Sequence, residues 1–321
     1  MYSRFVKIAV LGASGLLGSA VCRSVIHRGY SLLAYSNRET ISFSDQYHSK
    51  QLPFSDDNQL TREFFDQWPD AVVNCAAISS PDTVDQSPEL AHLVNVEGAS
   101  RLASISAHIG ARFIHISTDM VFDGSTSPYR STDMPNPLGE YGRQKLESEK
   151  RVLSVTDENL AVLRVTLLNG NSPLGIRSQH EKILRALMSG KKLTLFDDEI
   201  RQPCSVENLS DVIVELIERP NLNGLFHWAG NEEISRYELG IQILKRFGIN
   251  PENIIRGSIK NLENHGQRPQ HLSFILEPLA SKVRTVPLSI EEQLKELQIP
   301  KDLYSWYRKF ADSPNCYIPR F

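Results

Sequence analysis

Apolar residues in the first half of the chain gather in short runs rather than alternating with polar ones. Phe5–Leu11, Ser31–Tyr35, Ala71–Ala77, Phe113–Ser117 and Leu160–Leu168 each read as a strand, and the shorter Gln51–Ser55 joins them. Such runs suit strands covered on both faces, the arrangement of parallel sheets. Amphipathic segments lie between them. One ends near Gly29, one spans Leu60–Trp68 with Pro69 as its stop, and residues 79–110 read as a loop and a long helix. The segment that holds Tyr141 and Lys145 reads as a further helix. This alternation predicts an α/β fold built on an open, doubly wound parallel sheet of the Rossmann type, with ligands at the strands' C-terminal ends. Beyond Leu168 the order becomes irregular. Helices are predicted over Gln179–Ser189, Val206–Arg219 and Ile234–Phe247, and strands over Lys192–Phe196 and Leu225–Trp228. The tail from Pro300 is rich in aromatics (Tyr304, Trp306, Tyr307, Phe310 and Tyr317), which predicts docking on its own fold or on a partner subunit.

The first strand runs straight into GASGLLG, placing Gly12, Gly15 and Gly18 between a strand and a helix. In that context the first glycine permits a tight turn, the second lets backbone approach a pyrophosphate, and the third lets helix and strand pack closely. The helix N-terminus then faces the phosphates, with Ser14, Leu16 and Leu17 supplying backbone around them. The second strand ends in Ser36, Asn37 and Arg38, where an acidic residue would be expected to accept from a ribose 2′-hydroxyl. A hydroxyl, an amide and a guanidinium suit a 2′-phosphate instead, which favours NADP(H) over NAD(H). The small residues Ala76 and Ala77, at the end of the fourth run, let a cofactor pass close.

Tyr141 and Lys145 stand four residues apart on a predicted helix, so their side chains share a face. An ammonium beside a phenol would favour the phenolate and bring the tyrosine pKa down. Thr118 falls at the C-terminal end of a predicted strand, where ligands collect. A hydroxyl, a phenol and a lysine together are what proton delivery to a carbonyl oxygen needs.

Composition narrows the setting. The 321 residues are 40% hydrophobic and 23% charged, with a net charge of −3, values that give no reason to expect nucleic acid or an anionic membrane as partner. No apolar run reaches membrane-spanning length and the N-terminus has no signal-peptide pattern, so a cytoplasmic protein is expected. Cys22, Cys75, Cys204 and Cys316 are far apart, predicting buried free thiols and no metal cluster.

Taken together the motifs resemble the extended short-chain dehydrogenase/reductase superfamily, and within it the dTDP-4-dehydrorhamnose reductase branch. The residues that carry the resemblance are GASGLLG (12–18), NCAA (74–77), VNVEG (94–98), STDMVFDG (117–124), NPLGEYGRQKLESE (136–149), RQPCSVENLSD (201–211), GLFHWAGNEEISRYELG (224–240) and QRPQHLS (267–273). Some of them, GLFHWAGNE and QRP above all, are also similar to the regulatory beta subunit of methionine adenosyltransferase, a non-catalytic relative.

The resemblance implies an NADP(H)-dependent reductase that delivers hydride to C4 of a nucleotide-linked 4-keto-6-deoxy sugar. Thr118 would bond the substrate carbonyl, Tyr141 would give its proton, and Lys145 would hold the nicotinamide ribose and tune Tyr141. Gly12, Gly15 and Gly18 would cradle the pyrophosphate and Arg38 the 2′-phosphate. Asn95 would either support a water near Lys145 or pack between helices. Met120, Arg201, Gln202, Trp228 and Arg268 would line the nucleotide-sugar site, whereas His227 reads as a packed core residue. The resemblance also implies a domain of residues 1–168 onto which 200–230 fold back. Residues 169–199 and 231–321 would form a smaller substrate lobe and tail, and the superfamily suggests a homodimer. Two departures bear on the substrate. Met120 stands where the branch usually has Tyr, and Pro203–Cys204 where it has Pro-Thr. Thr118-Asp119-Met120 also lacks the glutamate of sugar-nucleotide dehydratases, which disfavours water elimination. A non-catalytic regulatory subunit and a C4 epimerase both stay open.

Overall fold

A computed structural model describes residues 6–37, 40–54, 57–262 and 268–319. Seven parallel strands form the central sheet: β1 (Lys7–Leu11), β2 (Ser31–Ser36), β3 (Lys50–Gln51), β4 (Ala71–Asn74), β5 (Arg112–Thr118), β6 (Leu160–Val165) and β7 (Gly224–Trp228). Their order across the sheet is β3-β2-β1-β4-β5-β6-β7, so the winding reverses between β1 and β4. In sheets of this kind ligands bind at that reversal, outside the strands' C-terminal ends.

Helices cover both faces. On one side α1 (Leu16–His27) and α5 (Val206–Glu218) bury Val21, Val25, Leu209 and Val212 against Ile8, Val10 and Val73 of the sheet. On the other, α2 (Asp57–Gln67), α3 (Ala99–Ile109) and α4 (Glu140–Leu153) bury Leu60, Phe64, Leu102 and Val152 against Leu11, Val72 and Phe113. Full burial on both faces explains why the strands read as continuous apolar runs.

Among the predicted boundaries that move, three do so for a visible local reason. The third strand shrinks from Gln51–Ser55 to Lys50–Gln51, because Pro53 has no N–H to give a ladder. The fourth stops at Asn74 rather than Ala77, since the Asn74 side chain takes the Ala76 N–H at 3.1 Å and turns the chain out of the sheet. The predicted Ile234–Phe247 helix begins at Arg236, capped by Ser235, whose hydroxyl accepts from Glu238 N at 3.0 Å.

A second apolar core lies away from the sheet. It joins Ile183, Leu184, Leu239, Ile243, Leu244 and Phe247 to Leu294, Leu303, Tyr307 and Tyr317. The aromatic tail therefore packs on its own fold: the Tyr307 hydroxyl donates to Phe247 O at 2.9 Å, and the Tyr317 hydroxyl accepts from Ile299 N at 3.1 Å. Ile200–Arg201 pairs with both Ile234–Ser235 and His271–Leu272 in a small sheet that brings this half toward the ends of β5 and β6. All four cysteines are free. Cys22 and Cys204 are buried and Cys75 half-buried, whereas Cys316 is exposed, against the expectation of burial. Among the described residues no helix is long and apolar enough to cross a membrane.

Candidate active site

The turn after β1 is shaped by close backbone approach. Gly12 has φ +77°, and a Cβ there would lie 2.8 Å from Ala76 N. A Cβ on Gly18 would lie 2.2 Å from Gly12 O. These two glycines are thus required by the packing of turn, helix and β4 before any ligand is considered. Gly18→Ala is expected to destabilise the fold by roughly 1–3 kcal/mol, the usual cost of forcing a methyl into a filled site, read by urea unfolding. Helix α1 starts at Leu16 with Gly15 as its N-cap and no side chain capping it. The first N–H groups of the helix therefore point outward without a side-chain acceptor, as an anion site requires. Ser14, Gly15 and Leu16 are half-buried along this mouth, while Leu17 is buried in the sheet-facing core. Ala76 and Ala77 line the opposite edge, half-buried and exposed respectively.

At the end of β2 Asn37 is exposed and its carbonyl accepts from Gln51 Nε2 at 2.9 Å. Ser36 is buried and shares a hydrogen bond with Ser49 at 3.1 Å, which removes it from contact with a ligand. Arg38, expected at a 2′-phosphate, lies outside the described residues.

Thr118 ends β5 and Tyr141 opens α4, and both side chains are buried. The Thr118 hydroxyl donates to Asp119 Oδ1 at 3.1 Å and accepts from Met120 N at 3.2 Å. The Tyr141 pKa is raised well above its ordinary value. Burial is the main cause and the Asp119 carboxylate adds to it, while the Thr118 hydroxyl opposes. This corrects the expectation of a phenol lowered by the lysine. Lys145 is buried with its Nζ turned under β5, donating to Ile116 O at 2.8 Å and lying 3.1 Å from His115 Nε2. Its charge is thus spent at the strand rather than on the phenol one turn away.

Asp119 is itself unusual. Burial raises its pKa to about 6, against the pull of Arg201 and the Thr118 hydroxyl, with Glu199 adding to the rise. A carboxyl whose folded pKa lies above its unfolded value near ~3.9 stabilises the fold below that value, and loses the contribution as pH rises through about 6. Asp119→Asn is therefore expected to flatten the fall in unfolding free energy between roughly pH 4 and 7. Urea titrations across that range would show it, and parallel curves for the two proteins would count against the assignment.

Several residues expected at the substrate are engaged elsewhere. Trp228 is fully buried in the core beside α5 and its Nε1 donates to Asn208 Oδ1 at 3.0 Å, so it is a packing residue and not a ligand contact. Gln202 is buried, giving Nε2 to Gly230 O and taking Phe274 N, both at 2.7 Å, which ties loops together. Arg201 is buried and bonds Glu199 at 2.9 Å, Pro269 O at 2.9 Å and Ile200 O at 2.7 Å. That leaves it little to offer a diphosphate. Arg268 and Met120 are half-buried, Met120 packing beside Tyr141. His227 is packed as expected, stacked on Phe274 with centroids 3.9 Å apart. Asn95 lies in a π-helical turn, Leu93–Gly98. Its Oδ1 takes Ile78 N at 2.9 Å and its Nδ2 gives to Ile78 O and Gln144 Oε1 at 3.1 Å each, so it ties the loop after β4 to α4.

With this geometry in view, comparison with known proteins places the chain. The family described as the RmlD substrate binding domain matches residues 6–300. The chain belongs to this family.

Methionine adenosyltransferase 2 subunit beta of Bos taurus is 32% identical over 309 residues, covering 92% of this chain and 89% of that one. A probable low-salt glycan biosynthesis reductase of Haloferax volcanii is 28% identical over 300 residues, covering 92% and 98%. Among solved structures, the dTDP-4-dehydrorhamnose reductase of Bacillus anthracis, in complex with NADP, superposes with a TM-score of 0.79. That pair is 22% identical and covers 91% of this chain and 98% of the other, a likeness of fold. This RmlD-family chain also has polar residues around the candidate site that its motifs do not single out. Asn74, His115 and Arg236 stand around the Thr118–Tyr141–Lys145 group: Asn74 and His115 behind Lys145, and Arg236 near Asp119 and Arg201. A histidine in the buried run RFIHIST was the available signal, since a polar side chain inside a two-sided strand needs a partner.

Proposed function

We propose that this protein is an NADP(H)-dependent reductase of a nucleotide-linked 4-keto-6-deoxy sugar. The observation that carries the reading is the meeting of Thr118 and Tyr141 at the C-terminal end of β5, with Lys145 buried one turn along α4 and the N-terminus of α1 left uncapped. Gly12 and Gly15, the first turn of α1, Asn37, Ala76, Ala77 and Lys145 would hold a nicotinamide dinucleotide. The absence of an acidic side chain among Ser36, Asn37 and Arg38 supports the 2′-phosphorylated form. When bound, that cofactor supplies the hydride.

The chain's own contribution is a proton and a dry, shaped place to give it. With its pKa raised, Tyr141 holds its proton across the neutral range and meets a substrate carbonyl as a neutral acid. As negative charge develops on the substrate oxygen, Tyr141 Oη passes that proton over, and Thr118 Oγ1 holds the oxygen in line once its hydrogen turns from Asp119 Oδ1, where it lies in the free protein, to the substrate. Burial of both groups strengthens these contacts by excluding water. Arg268 remains the guanidinium we assign to the nucleotide diphosphate, in place of Arg201.

A second reading has its own support. The bovine relative at 32% identity is by name a subunit of methionine adenosyltransferase 2, and a non-catalytic, NADP-binding subunit is what such a likeness favours. One experiment separates the two. NADPH oxidation is followed with dTDP- and other nucleotide-linked 4-keto-6-deoxy sugars. Consumption of NADPH with one of them establishes the reductase, whereas tight NADPH binding without turnover on any sugar selects the subunit.

A further inference from the structure

Lys145 is 1% exposed, and what its ammonium meets is decided two residues away. Asn74 Oδ1 accepts the Ala76 N–H at 3.1 Å, which turns the amide NH₂ toward His115 Nδ1 at 3.2 Å. Nδ1 is thereby an acceptor, and the neutral ring carries its proton on Nε2. Ser148 Oγ, 3.1 Å from Nε2, receives that N–H, because its own hydrogen goes to Lys145 O at 2.9 Å. The same Nε2–H faces Lys145 Nζ at 3.1 Å. An ammonium has three hydrogens and no lone pair, so opposite an N–H it meets a like dipole end, while a neutral amine can accept.

We propose that His115, locked by Asn74 as its Nε2–H tautomer, is a positioning residue that sets the protonation of Lys145 by working against the ammonium form. The other charged or titratable groups that bear on Lys145 are few. Glu149 lies one turn along α4 and is paired with Arg164, and Cys75 follows β4. Both favour the ammonium, against the burial that brings the Lys145 pKa down to about 8. The His115 pKa is itself pushed well down, by burial and by Lys145, which keeps the ring neutral. If Lys145 serves the reductase chemistry proposed above, it does so as a group that gains and loses a proton in the working range, not as a permanent cation.

The test reads the groups directly in the intact protein, so its outcome is independent of whether any sugar is turned over. Long-range ¹H–¹⁵N spectra report which ring nitrogen of His115 carries the proton, and the ¹³Cε shift of Lys145 reports its titration. Wild type is expected to show a single proton on Nε2. In Asn74→Asp the carboxylate accepts from both Ala76 N and Nδ1, so the ring proton moves to Nδ1 and the Lys145 midpoint rises by about one unit or more. That variant also adds a negative charge, so His115→Phe supplies the control. Removing the opposing N–H should raise the midpoint, whereas a lysine governed by burial alone would titrate at the same or lower pH. A wild-type ring protonated on Nδ1, or an unmoved or lowered Lys145 midpoint in His115→Phe, overturns the proposal. Should His115→Phe fail to fold, the wild-type and Asn74→Asp ring spectra still decide the tautomer on which it depends.

Discussion

Tyr141→Phe is expected to lower NADPH-dependent turnover by about 10²–10⁴-fold, the range that positioned acids contribute, while NADPH binding stays as in wild type. The change removes one oxygen from a buried side chain. The ring still packs against Val84, Ala91 and Met120, so the helix keeps its support. Only the proton is gone, and Thr118 has already given its own hydrogen to Asp119 at 3.1 Å. A loss confined to kcat, with cofactor affinity by fluorescence titration unchanged, is the expected pattern. Full turnover in the variant would remove Tyr141 from the chemistry. A protein that forms a stoichiometric complex with a partner enzyme, unaffected by the substitution, would speak for the subunit reading.

The largest expected effect on stability is at Arg164. Its guanidinium grips Glu149 bidentately, Nε to Oε1 at 2.9 Å and Nη2 to Oε2 at 2.7 Å, with the two side chains 3% and 2% exposed. Ser117 donates to the same carboxylate, and the Phe122 ring lies 5.0 Å from the guanidinium carbon. The pair joins α4 to β5 and β6 just beyond Lys145, and so holds the helix that carries the proton donor. Arg164→Met would leave a buried carboxylate without its cation, at a cost of about 3–5 kcal/mol. Adding Glu149→Leu should recover much of that loss, because an apolar pair of similar bulk avoids burying the charge. Urea unfolding of the single and double variants measures both. A single variant within about 1 kcal/mol of wild type would show that the pair is not what fixes α4.

The sequence and the structure agree where local rules suffice. Apolar runs, glycine spacing and the four-residue interval between Tyr141 and Lys145 are short-range features, and the doubly wound parallel sheet and the glycine turn after β1 follow from them. Agreement fails where a side chain's fate is settled by a distant partner. Trp228 reads as a ligand contact until Asn208 and the α5 core claim it. Gln202 is taken up by Gly230 and Phe274, and Arg201 by Pro269, all far along the chain. Lys145 follows the same logic. Helical spacing puts it on the face of Tyr141, but His115 and Ile116 O, across the helix–sheet contact, decide where its nitrogen goes.

The route of the chain between its two cores bears on how relatives could exchange parts. After β6 the polypeptide crosses to the second core and builds Ile183–Leu195 there. It returns to the sheet for α5 and β7, then leaves again for Ile234–Ile254. No contiguous stretch of gene therefore encodes either core whole. A recombinant joined to a relative between Leu195 and β7 would mate strands and helices of different parentage in both cores at once. Functional hybrids should be recovered chiefly from junctions on the N-terminal side of β6, where whole strand–helix units change hands together.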